Sequence, residues 1–388
     1  MTNLSRQAVI VDGVRTPFGR AQSEKGWLRN IRADELAANC LRELIQRNNL
    51  DPQLVDEVIV GCALQAGEMS LNAARPIALL AGLPVTCPAV TVNRLCGSSL
   101  QALHQAVHAI EAGHADVQLV AGVEKMTGQP PLPADLLHPK LSAVTSPAAM
   151  SMGLTAEFLA QRYCISRADQ DAFALRSHQL ASAALHSKLQ SEILPCWGDA
   201  ESGERILIEQ DQTLRPDTNL ASLAKLPAAF LEAGTVTAGN SSPRNDGAAA
   251  LLVMSRETAS GLGYQNLTVV KGTSVAGITP SEMGLGPVPA TEKLLSRTKL
   301  QLGDIGSIEL SEAFAAQALA CIRQGRLDPE TVNRRGGAIA IGHPLGASGC
   351  RLILTLIHTL HSDKSEFGIA AMCIGMGQGI ATLLQRAD

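Results

Sequence analysis

The sequence predicts an α/β fold built from two similar halves, and three observations lead to that prediction. Short apolar segments typical of strands alternate with amphipathic helical segments along most of the chain. Several of these elements recur in the same order in the second half. Of the 388 residues, 46% are hydrophobic but only 3% are aromatic, and 34 are glycine. A core of small aliphatic side chains favours closely stacked layers of helix and sheet.

The elements of the first half alternate between strand and helix. QAVIVDGVRTPFGR predicts a buried strand that ends in a turn at Gly and Pro. ADELAANCLRELIQRN, from Ala33, places its apolar residues on one helical face. Further strands are predicted at VDEVIVGCAL, TVN and DVQLVAGVEKM, with helices at NAARPIALLAGL and at residues 97–113. Such an alternation implies right-handed crossovers and a mostly parallel, buried sheet.

The order of elements repeats at a nearly constant spacing. VDEVIVGCAL and IGSIELSEAF begin 250 residues apart, and GSSLQALHQAVHAI and GASGCRLILTLIHTL begin 249 residues apart. VQLVAGVEKM is matched by FGIAAMCIGM 250 residues later, and AVIVDGVR by TVVKGTSV 260 residues later. Three elements in one register predict a duplicated fold, and chance similarity between α/β segments is the alternative.

The stretch between Lys125 and about Asn245 belongs to neither copy. It contains the Pro-rich QPPLPADLLHP, the helical segments SMGLTAEFLAQRY and DQDAFALRSHQLASAALHSKL, and polar linkers such as GDAESGERI. We interpret it as an inserted loop domain. The predicted division is an N-terminal half (1–124, completed by 246–262), the inserted domain (125–245) and a C-terminal half (263–388).

Charge and cysteine content argue against several classes of function. The net charge of −4 gives no basic excess for nucleic acid or an anionic membrane surface. The nine cysteines lack metal-ligand spacing, which indicates a reducing cytoplasm and no metal site. No apolar run approaches the roughly 20 residues that span a bilayer. The start of the chain has no signal core. An anionic small molecule would need only a local pocket.

Cys96 lies where a strand becomes a helix, in VNRLCGSSL. The first N–H groups of a helix have no internal partner and carry a partial positive charge. They favour a thiolate, so we expect the pKa of Cys96 to fall below its usual value of about 8.5 and the thiol to act as a nucleophile. The alternative interpretation is a small buried hydrophobic residue.

Two further groups occupy positions that the duplication relates to the same pocket. His343, in GGAIAIGHPLGASG, lies almost where Cys96 lies in the first copy, which suits a base for a nucleophilic thiol. Cys373 ends an apolar strand in MCIGMGQG, where Gly375, Gly377 and Gly379 could expose N–H groups to an oxyanion. Taken singly, His343 could be structural and Cys373 a core cysteine.

At this point the chain resembles the thiolase family over essentially its whole length. The family fold consists of two five-stranded βαβαβαββ halves in layered αβαβα packing, with a loop domain inserted in the first half. The motifs that carry the resemblance are VIVDGVRTPFGR, TVNRLCGSSLQALH, MGLTAE, GTVTAGNSSPRNDGAAA, MGLGPVPA, EAFAAQ, GGAIAIGHPLGASG and MCIGMGQG.

The resemblance implies roles for the three groups. Cys96 would take the acyl group, His343 would activate it, and Cys373 would move protons. The N–H groups of Cys96 and Gly375 would hold the keto oxygen, while His343 and an ordered water would hold the enolate oxygen. Thiolases usually carry the sequence Asn-Glu-Ala-Phe where this chain has Ser-Glu-Ala-Phe. Ser311 therefore stands in place of the usual asparagine. We expect Ser311 to hold that water, with weaker activity or altered preference.

The family also implies a CoA site in the inserted domain. Ser242 matches the serine that contacts pantetheine, and Arg215 matches an arginine near the nucleotide. Met152, Met283 and Phe314 are expected beside the substrate, with core filling as the alternative for the two methionines. A solvated loop arginine is the alternative for Arg215. The stretch KLPAAF departs from the LRPAF of close relatives, so basic contacts there do not carry over.

The motifs are most similar to the degradative branch of the family, which cleaves 3-ketoacyl-CoA in fatty-acid β-oxidation. The resemblance implies CoA as a substrate, no permanently bound cofactor, a homodimer or tetramer, and a possible complex with a multifunctional hydratase/dehydrogenase subunit. A biosynthetic acetyl-CoA acetyltransferase is the nearest alternative. A non-catalytic acyl-CoA-binding homologue is a third, because of Ser311. A ketoacyl-ACP synthase would carry histidine in place of Cys373.

Overall fold

The structure is a computed structural model that describes residues 6–129, 137–185 and 191–387. Most of the predicted Pro-rich segment, residues 130–136, lies outside the described residues. So does the end of the second predicted helix of the inserted region, at residues 186–189. The limits of the inserted domain therefore stay a prediction.

The helices and strands follow the predicted order. The first half contains β1 (Ala8–Arg15), β2 (Gly19–Arg20), α1 (Ala33–Arg47), β3 (Glu57–Gly61), α2 (Ala74–Leu80), β4 (Ala89–Val92), α3 (Ser98–Glu111) and β5 (Val117–Glu124). The inserted region contains α4 (Met152–Arg162), α5 (Arg167–Ala184), β6 (Cys196–Asp199), β7 (Arg205–Ile208) and α6 (Leu220–Ala224). The chain then returns through β8 (Asn245–Ser255) and α7 (Arg256–Gly261).

The second half repeats the pattern of the first. It contains β9 (Thr268–Gly277), α8 (Pro287–Thr298), β10 (Ile305–Leu310), α9 (Ala315–Gln324), α10 (Ala338–Ile341), α11 (Leu345–Asp363), β11 (Phe367–Ile374) and β12 (Gln378–Arg386). The strands are hydrogen-bonded in the order β10-β11-β12-β9-β1-β8-β5-β3-β4. β1 and β9, the opening strands of the two halves, meet in the middle.

The prediction of a mostly parallel sheet is wrong, because the sheet is mixed. Parallel pairs are confined to β3–β4, β3–β5 and β10–β11, whereas β8 and β12 pair antiparallel with both of their neighbours. The connection between β11 and β12 spans only residues 375–377. A parallel crossover needs a dozen or more residues, so this connection has to form a hairpin.

The strand register confirms the duplication. Val58 of β3 pairs with Leu119 of β5, and Ile308 of β10 pairs with Ile369 of β11. Both partners of the first pair thus recur 250 residues later. In the second half, one bridge between Ile308 and Val332 stands where β4 pairs with β3 in the first half, so the described residues give that half four strands and one bridge.

The core is arranged in five layers. Leu251 and Val253 of β8 pack toward α3 and α11, whereas Ala250 and Leu252 face the opposite side with α1. This alternation is the period of two that a strand buried on both faces must show. The strands of the second half likewise bury one face against α3 and α11 and the other against α8 and α9. The two central helices therefore lie between the halves.

Small residues allow the two central helices to cross at their first turns. A Cβ on Gly349 of α11 would lie 2.6 Å from the backbone nitrogen of Leu100 in α3, the residue 249 positions earlier. The Ser99 hydroxyl accepts a hydrogen bond from the Cys350 N–H at 3.0 Å. The crossing thus joins equivalent positions of the two halves and brings the two helix starts together.

Within the three described stretches of chain, every helix is too short or too polar to cross a membrane. The same stretches contain no group of three or more His, Cys, Asp or Glu side chains that could hold a metal ion.

Candidate active site

Cys96 lies in a tight turn between β4 and α3, two residues before the first residue of the helix. Leu95 has a φ of 47°, a left-handed conformation that costs free energy in a residue other than glycine. Side chains on both sides hold the turn. Leu95 N–H donates to Asn93 Oδ1 at 2.8 Å, and Arg94 N–H donates to Ser98 Oγ at 2.9 Å. The nucleophile is therefore presented by a strained, firmly held turn.

The resting state of Cys96 differs from the sequence prediction. Burial raises the pKa of its thiol to about 11, although the N–H of Gly375 acts in the opposite direction. The nearby Glu124 carboxylate also raises it. The prediction that the pKa of Cys96 falls below its usual value is wrong. Cys96 precedes the helix by two residues, and burial destabilises its thiolate more than the helix start stabilises it. The thiol rests protonated and needs a base.

His343 lies two residues before α11, as Cys96 lies two residues before α3. Its Nδ1 is 2.7 Å from Ser348 Oγ, and that hydroxyl donates its only proton to the carbonyl of Pro344 at 2.9 Å. Ser348 must therefore accept from Nδ1–H, which leaves Nε2 unprotonated. Nε2 is buried and has no hydrogen-bond partner in the described part of the chain.

Burial also sets the charge of His343. It lowers the pKa of the imidazole to about 4, and the nearby Arg351 guanidinium acts in the same direction. Neutral imidazole with a free Nε2 is the form that a general base requires. Asn245 fixes the backbone, because its Oδ1 accepts from the His343 N–H at 3.0 Å.

Cys373 is the second-last residue of β11 and is buried. Burial raises the pKa of its thiol well above the ordinary value, and the Cys96 thiol raises it further. The two thiols are also close in the fold, since a Cβ on Gly97, next to Cys96, would lie 2.6 Å from Ile374, next to Cys373. The Ser311 hydroxyl acts in the opposite direction and lowers the pKa of Cys373. The crossing of α3 and α11 places the start of α11, with His343, at the same end of the helices as Cys96.

The turn after Cys373 contributes one amide rather than three. Gly375 N–H is directed at Cys96. Gly377 and Gly379, whose N–H groups were expected to be exposed, instead allow close packing: a Cβ would lie 2.2 Å from Ile278 O at the first and 1.8 Å from Gly286 O at the second. Of these three glycines, only Gly375 is placed to bind an oxyanion beside Cys96.

Ser311 follows β10 directly, and its N–H donates to Ala371 O at 2.9 Å. Its hydroxyl is buried beside the Cys373 thiol and, like His343 Nε2, has no nitrogen or oxygen hydrogen-bond partner among the described residues. Buried polar atoms are nearly always paired, so such atoms need a partner from outside the chain. The site therefore offers a donor and an acceptor to a substrate oxygen or an ordered water.

A cleft of about 650 Å³ adjoins this site. Arg215 and Ser242 both line it, as the sequence predicts for CoA contacts. The Ser242 hydroxyl donates to Ala313 O at 3.1 Å, in the segment that begins with Ser311. Arg244, at the cleft wall, forms a backbone bridge with His343. The cleft therefore comes within one backbone bridge of His343, although Cys96, His343 and Cys373 do not line it.

Two cleft arginines escaped the sequence analysis. Arg20 and Arg244 line the cleft with Arg215, and none of the three forms a salt bridge with a described residue. Both lie inside family motifs, in TPFGR and GNSSPRND, but neither motif by itself shows that distant arginines converge. Three guanidinium groups without a carboxylate partner among the described residues suit phosphate oxygens.

The remaining predicted contacts divide between site and core. Met152 begins α4, and its sulfur would lie 3.3 Å from a Cβ at Gly375, beside the thiols. Phe314 is buried and packs edge-to-face on Phe230 of the cleft, with ring centroids 5.9 Å apart. Met283 is buried in the apolar cluster of the second half, which supports the alternative of core filling.

Ser348 and Glu124 were also missed. Ser348 lies five residues after His343, within GHPLGASG. A hydroxyl about one helical turn from the proposed base is the sequence feature that could have identified it. Glu124 is a charged residue at the end of an otherwise apolar strand, VQLVAGVE, and that contrast was its signal.

Comparisons with known proteins agree with this geometry. Residues 8–257 match the model of the thiolase N-terminal domain, and residues 264–386 match that of the thiolase C-terminal domain. The chain is 50% identical to a 3-ketoacyl-CoA thiolase of Photobacterium profundum (97% of this chain, 99% of the relative). It is 47% identical to one of Marinomonas sp. (97% and 98%).

Solved structures give the same result. The acetyl-CoA acetyltransferase of Bacillus anthracis superposes with a TM-score of 0.90 at 38% identity, covering 99% of this chain and 100% of the other. Human mitochondrial 3-ketoacyl-CoA thiolase gives 0.89 at 35% identity, covering 99% of each chain. With two thiols, a neutral imidazole and a cleft in one site, and both family models matched in order, this chain belongs to the thiolase family.

Proposed function

We propose that this protein cleaves 3-ketoacyl-CoA with CoA, yielding acetyl-CoA and a shortened acyl-CoA, in fatty-acid β-oxidation. The observation that carries the proposal is that the end of β11 and the starts of α3 and α11, which hold Cys373, Cys96 and a neutral His343, lie together. A single thiol and base would suffice for acyl transfer, but carbon–carbon cleavage also needs a proton donor to carbon. The names of the relatives support the same reaction.

The first half-reaction transfers the acyl group. His343 Nε2 takes the Cys96 proton, and the resulting thiolate attacks the 3-keto carbon while the N–H of Gly375 holds the oxygen. Cleavage of the bond between carbons 2 and 3 leaves an acyl-thioester on Cys96 and the enolate of acetyl-CoA. Cys373 protonates the enolate carbon and becomes a thiolate.

The second half-reaction restores the enzyme. The Cys373 thiolate takes the proton of an incoming CoA thiol, and the CoA thiolate attacks the acyl group on Cys96. The Cys96 thiolate leaves and recovers its proton from His343. CoA is thus a substrate, and the proposed chemistry requires no permanently bound cofactor.

The cleft suits the CoA moiety by charge and by position. Arg20, Arg215 and Arg244 would face the phosphates, and Ser242 would lie along the pantetheine arm. Ser242 is tied to Ala313, so the arm would pass beside the segment that begins with Ser311.

Trapping the intermediate tests the proposal. On mixing with an eight-carbon 3-ketoacyl-CoA without free CoA, we expect the peptide that contains Cys96 to gain the mass of the shortened acyl group, with release of acetyl-CoA. Cys96→Ser should abolish both signals, and exposed Cys164 provides a matched control in Cys164→Ser. Absence of adduct and of acetyl-CoA in the unmodified protein would favour a non-catalytic acyl-CoA-binding homologue.

A biosynthetic acetyl-CoA acetyltransferase is the second candidate, and the B. anthracis structure of that name favours it. It would use the same groups and differ in the length of acyl chain accepted. Rates with four-, eight- and sixteen-carbon substrates separate the two, because strict preference for four carbons would select the biosynthetic reaction.

We further propose a cytoplasmic homodimer or tetramer, with a multifunctional hydratase/dehydrogenase subunit as a candidate partner. The resemblance to degradative thiolases supports this proposal. Light scattering of the purified chain measures the first point, and co-purification with tagged candidate subunits measures the second.

A further inference from the structure

Glu124 is a buried carboxylate that the proposed reaction does not use. It ends β5, and its side chain is fully buried. Its Oε2 accepts from the N–H groups of Ala63 at 3.0 Å and Gly346 at 2.9 Å. Its Oε1 accepts from the N–H of Leu64 at 3.0 Å and lies 3.8 Å from Cys62 Sγ. One side chain thus binds the segment after β3 and the start of α11.

The hydrogen bond to Gly346 places this carboxylate at a helix terminus. Gly346 is the second residue of α11, whose first N–H groups have no internal partner. A negative charge there is favourable because it complements the helix dipole. His343 lies three residues before Gly346, so whatever fixes the start of α11 also fixes the base.

Space at this point is too small for a substitute arrangement. A Cβ on Gly346 would lie 2.4 Å from Val123 O, and one on Gly122 would lie 2.2 Å from Gly346 O. The backbones of β5 and α11 are therefore in direct contact next to Glu124. A small change in the length of this side chain has to shift one of them.

Glu124 also acts on the nucleophile through its charge. The titratable groups that face it are the thiols of Cys62 and Cys96, and it raises the pKa of both. The charged group that acts on His343 is Arg351, not Glu124. Burial raises the pKa of Glu124 itself to about 7, while its three backbone hydrogen bonds oppose that rise.

We propose that Glu124 is a positioning residue: it ties the segment after β3, which Asn93 joins to the Cys96 turn, to the start of α11 and thus to His343. Above pH 7 its carboxylate, held in this way beside the Cys96 turn, also opposes ionisation of the Cys96 thiol. The catalytic part of this proposal rests on the proposed thiolysis, whereas the effect on Cys96 does not. A protonated resting thiol resists oxidation and alkylation.

The test measures alkylation and turnover in the full-length protein. The rate of iodoacetamide addition to Cys96, followed by peptide mass spectrometry across pH, gives the midpoint for thiolate formation. For Glu124→Gln we expect this midpoint to fall by about one pH unit, because a nearby negative charge is removed. We expect kcat for thiolysis to fall on the order of tenfold to a hundredfold, with KM for CoA unchanged, because the base is misplaced.

Two further variants separate charge from position. Glu124→Asp keeps the charge but shortens the side chain, so kcat should fall while the alkylation midpoint stays. Glu157→Gln is the matched control, since Glu157 is also buried and accepts N–H bonds from Thr235 and Val236, but it acts on no cysteine thiol in the described stretches. Its midpoint and kcat should both match the unmodified protein.

The outcomes distinguish this proposal from the proposed function. An unchanged midpoint in a folded Glu124→Gln overturns the role of the charge. An unchanged kcat in Glu124→Asp overturns the positioning role, and this result is available even if the glutamine variant does not fold. If the unmodified protein performs no thiolysis yet the midpoint still falls in Glu124→Gln, the proposed function is wrong and the effect on Cys96 stands.

Discussion

Ser348 fixes which nitrogen of His343 carries the proton. Its hydroxyl accepts from Nδ1–H because its own proton goes to Pro344 O. In Ser348→Ala the two tautomers become closer in free energy, so a fraction of the enzyme loses the free Nε2. We expect kcat to fall on the order of tenfold with KM unchanged, as steady-state kinetics can measure.

A second serine of α11 provides the control for that variant. Ser362 bonds Thr359 O near the end of the helix, far along α11 from the base, so Ser362→Ala should leave kcat unchanged. Equal kcat for Ser348→Ala and the unmodified enzyme would contradict a role in setting the tautomer.

The fall of kcat/KM at acid pH should depend on the burial of His343. Only the neutral imidazole can take the Cys96 proton, and burial lowers its pKa from 6.5 to about 4. In Glu124→Gln, which has no carboxyl group to titrate near pH 7, we therefore expect the remaining kcat/KM to persist as the pH falls through 6.5 and to decline only near pH 4. A decline centred near pH 6.5 in that folded variant would contradict a buried neutral base.

Folding has to be followed in the same samples. His104 and His178 also have pKa values lowered by burial, to about 3 and about 4. Their unfolded forms bind protons at higher pH than their folded forms, so these groups favour unfolding as the pH falls below 6.5. Circular dichroism at each pH separates this loss of stability from loss of the base.

Ser311 is the residue at which the site departs from the family pattern. Its hydroxyl side chain is shorter than the usual asparagine side chain, and beyond the Cys373 thiol it has no hydrogen-bond partner in the described part of the chain. Ser311→Asn should extend a donor toward the water beside His343, and we expect kcat to rise by up to about tenfold or the preference for acyl length to change. Kinetics with four-, eight- and sixteen-carbon substrates measure both. Unchanged rate and selectivity would show that position 311 matters little.

At the scale of elements, the crossing of α3 and α11 holds the halves in register. Gly349→Ala would place a Cβ 2.6 Å from the Leu100 backbone nitrogen, so the helices have to move apart. Overpacking of this kind costs about 1–3 kcal/mol of unfolding free energy. Urea unfolding measures it, and we expect the catalytic rate to fall as well because both helix starts carry site residues.

Gly261 of α7 supplies the matched substitution. A Cβ there would meet no atom within 4 Å, so Gly261→Ala should leave stability unchanged or raise it slightly. A loss of stability no larger for Gly349→Ala than for Gly261→Ala would mean that the crossing is not tightly packed.

The elements of the fold were predictable to the extent that local pattern determines them. The spacing of 250 residues predicted which segments recur, and it also holds for the pairing of residues across strands. The pair Val58–Leu119 in the first half corresponds to the pair Ile308–Ile369 in the second. The direction of β8 and β12 was not predictable in that way. It depends on connections, a long excursion before β8 and a three-residue turn before β12, which strand periodicity does not encode.

The same limit applies to the candidate site. Cys96, His343 and Cys373 were identifiable because each ends a strand or precedes a helix within a repeated pattern. The pKa of Cys96 was not, because it depends on burial and on Glu124, which lies in a different element. Ser348 and Glu124 act through other residues, so neither shows the residue types of a catalytic motif by itself.

At the scale of the whole molecule, three separate segments form the cleft. Arg20 follows β1, Arg215 belongs to the inserted region, and Arg244 precedes β8. Only the return of the chain from the inserted region to the centre of the sheet brings them together. The inserted region therefore completes a binding surface that neither half could form alone, while the two halves supply the catalytic groups.

The convergence of these arginines predicts that they bind the phosphates of CoA and do not act on its thiol. Arg215→Ala and Arg20→Ala should each raise KM for CoA on the order of tenfold and leave kcat unchanged, because a charge-assisted contact to phosphate is lost far from the reacting atoms. With pantetheine, which has the thiol but no phosphate, the same variants should match the unmodified enzyme. Arg256→Ala is the control, since Arg256 bonds Gln7 away from the cleft. A KM that rises equally for CoA and pantetheine would assign these arginines to the shape of the cleft rather than to phosphate binding.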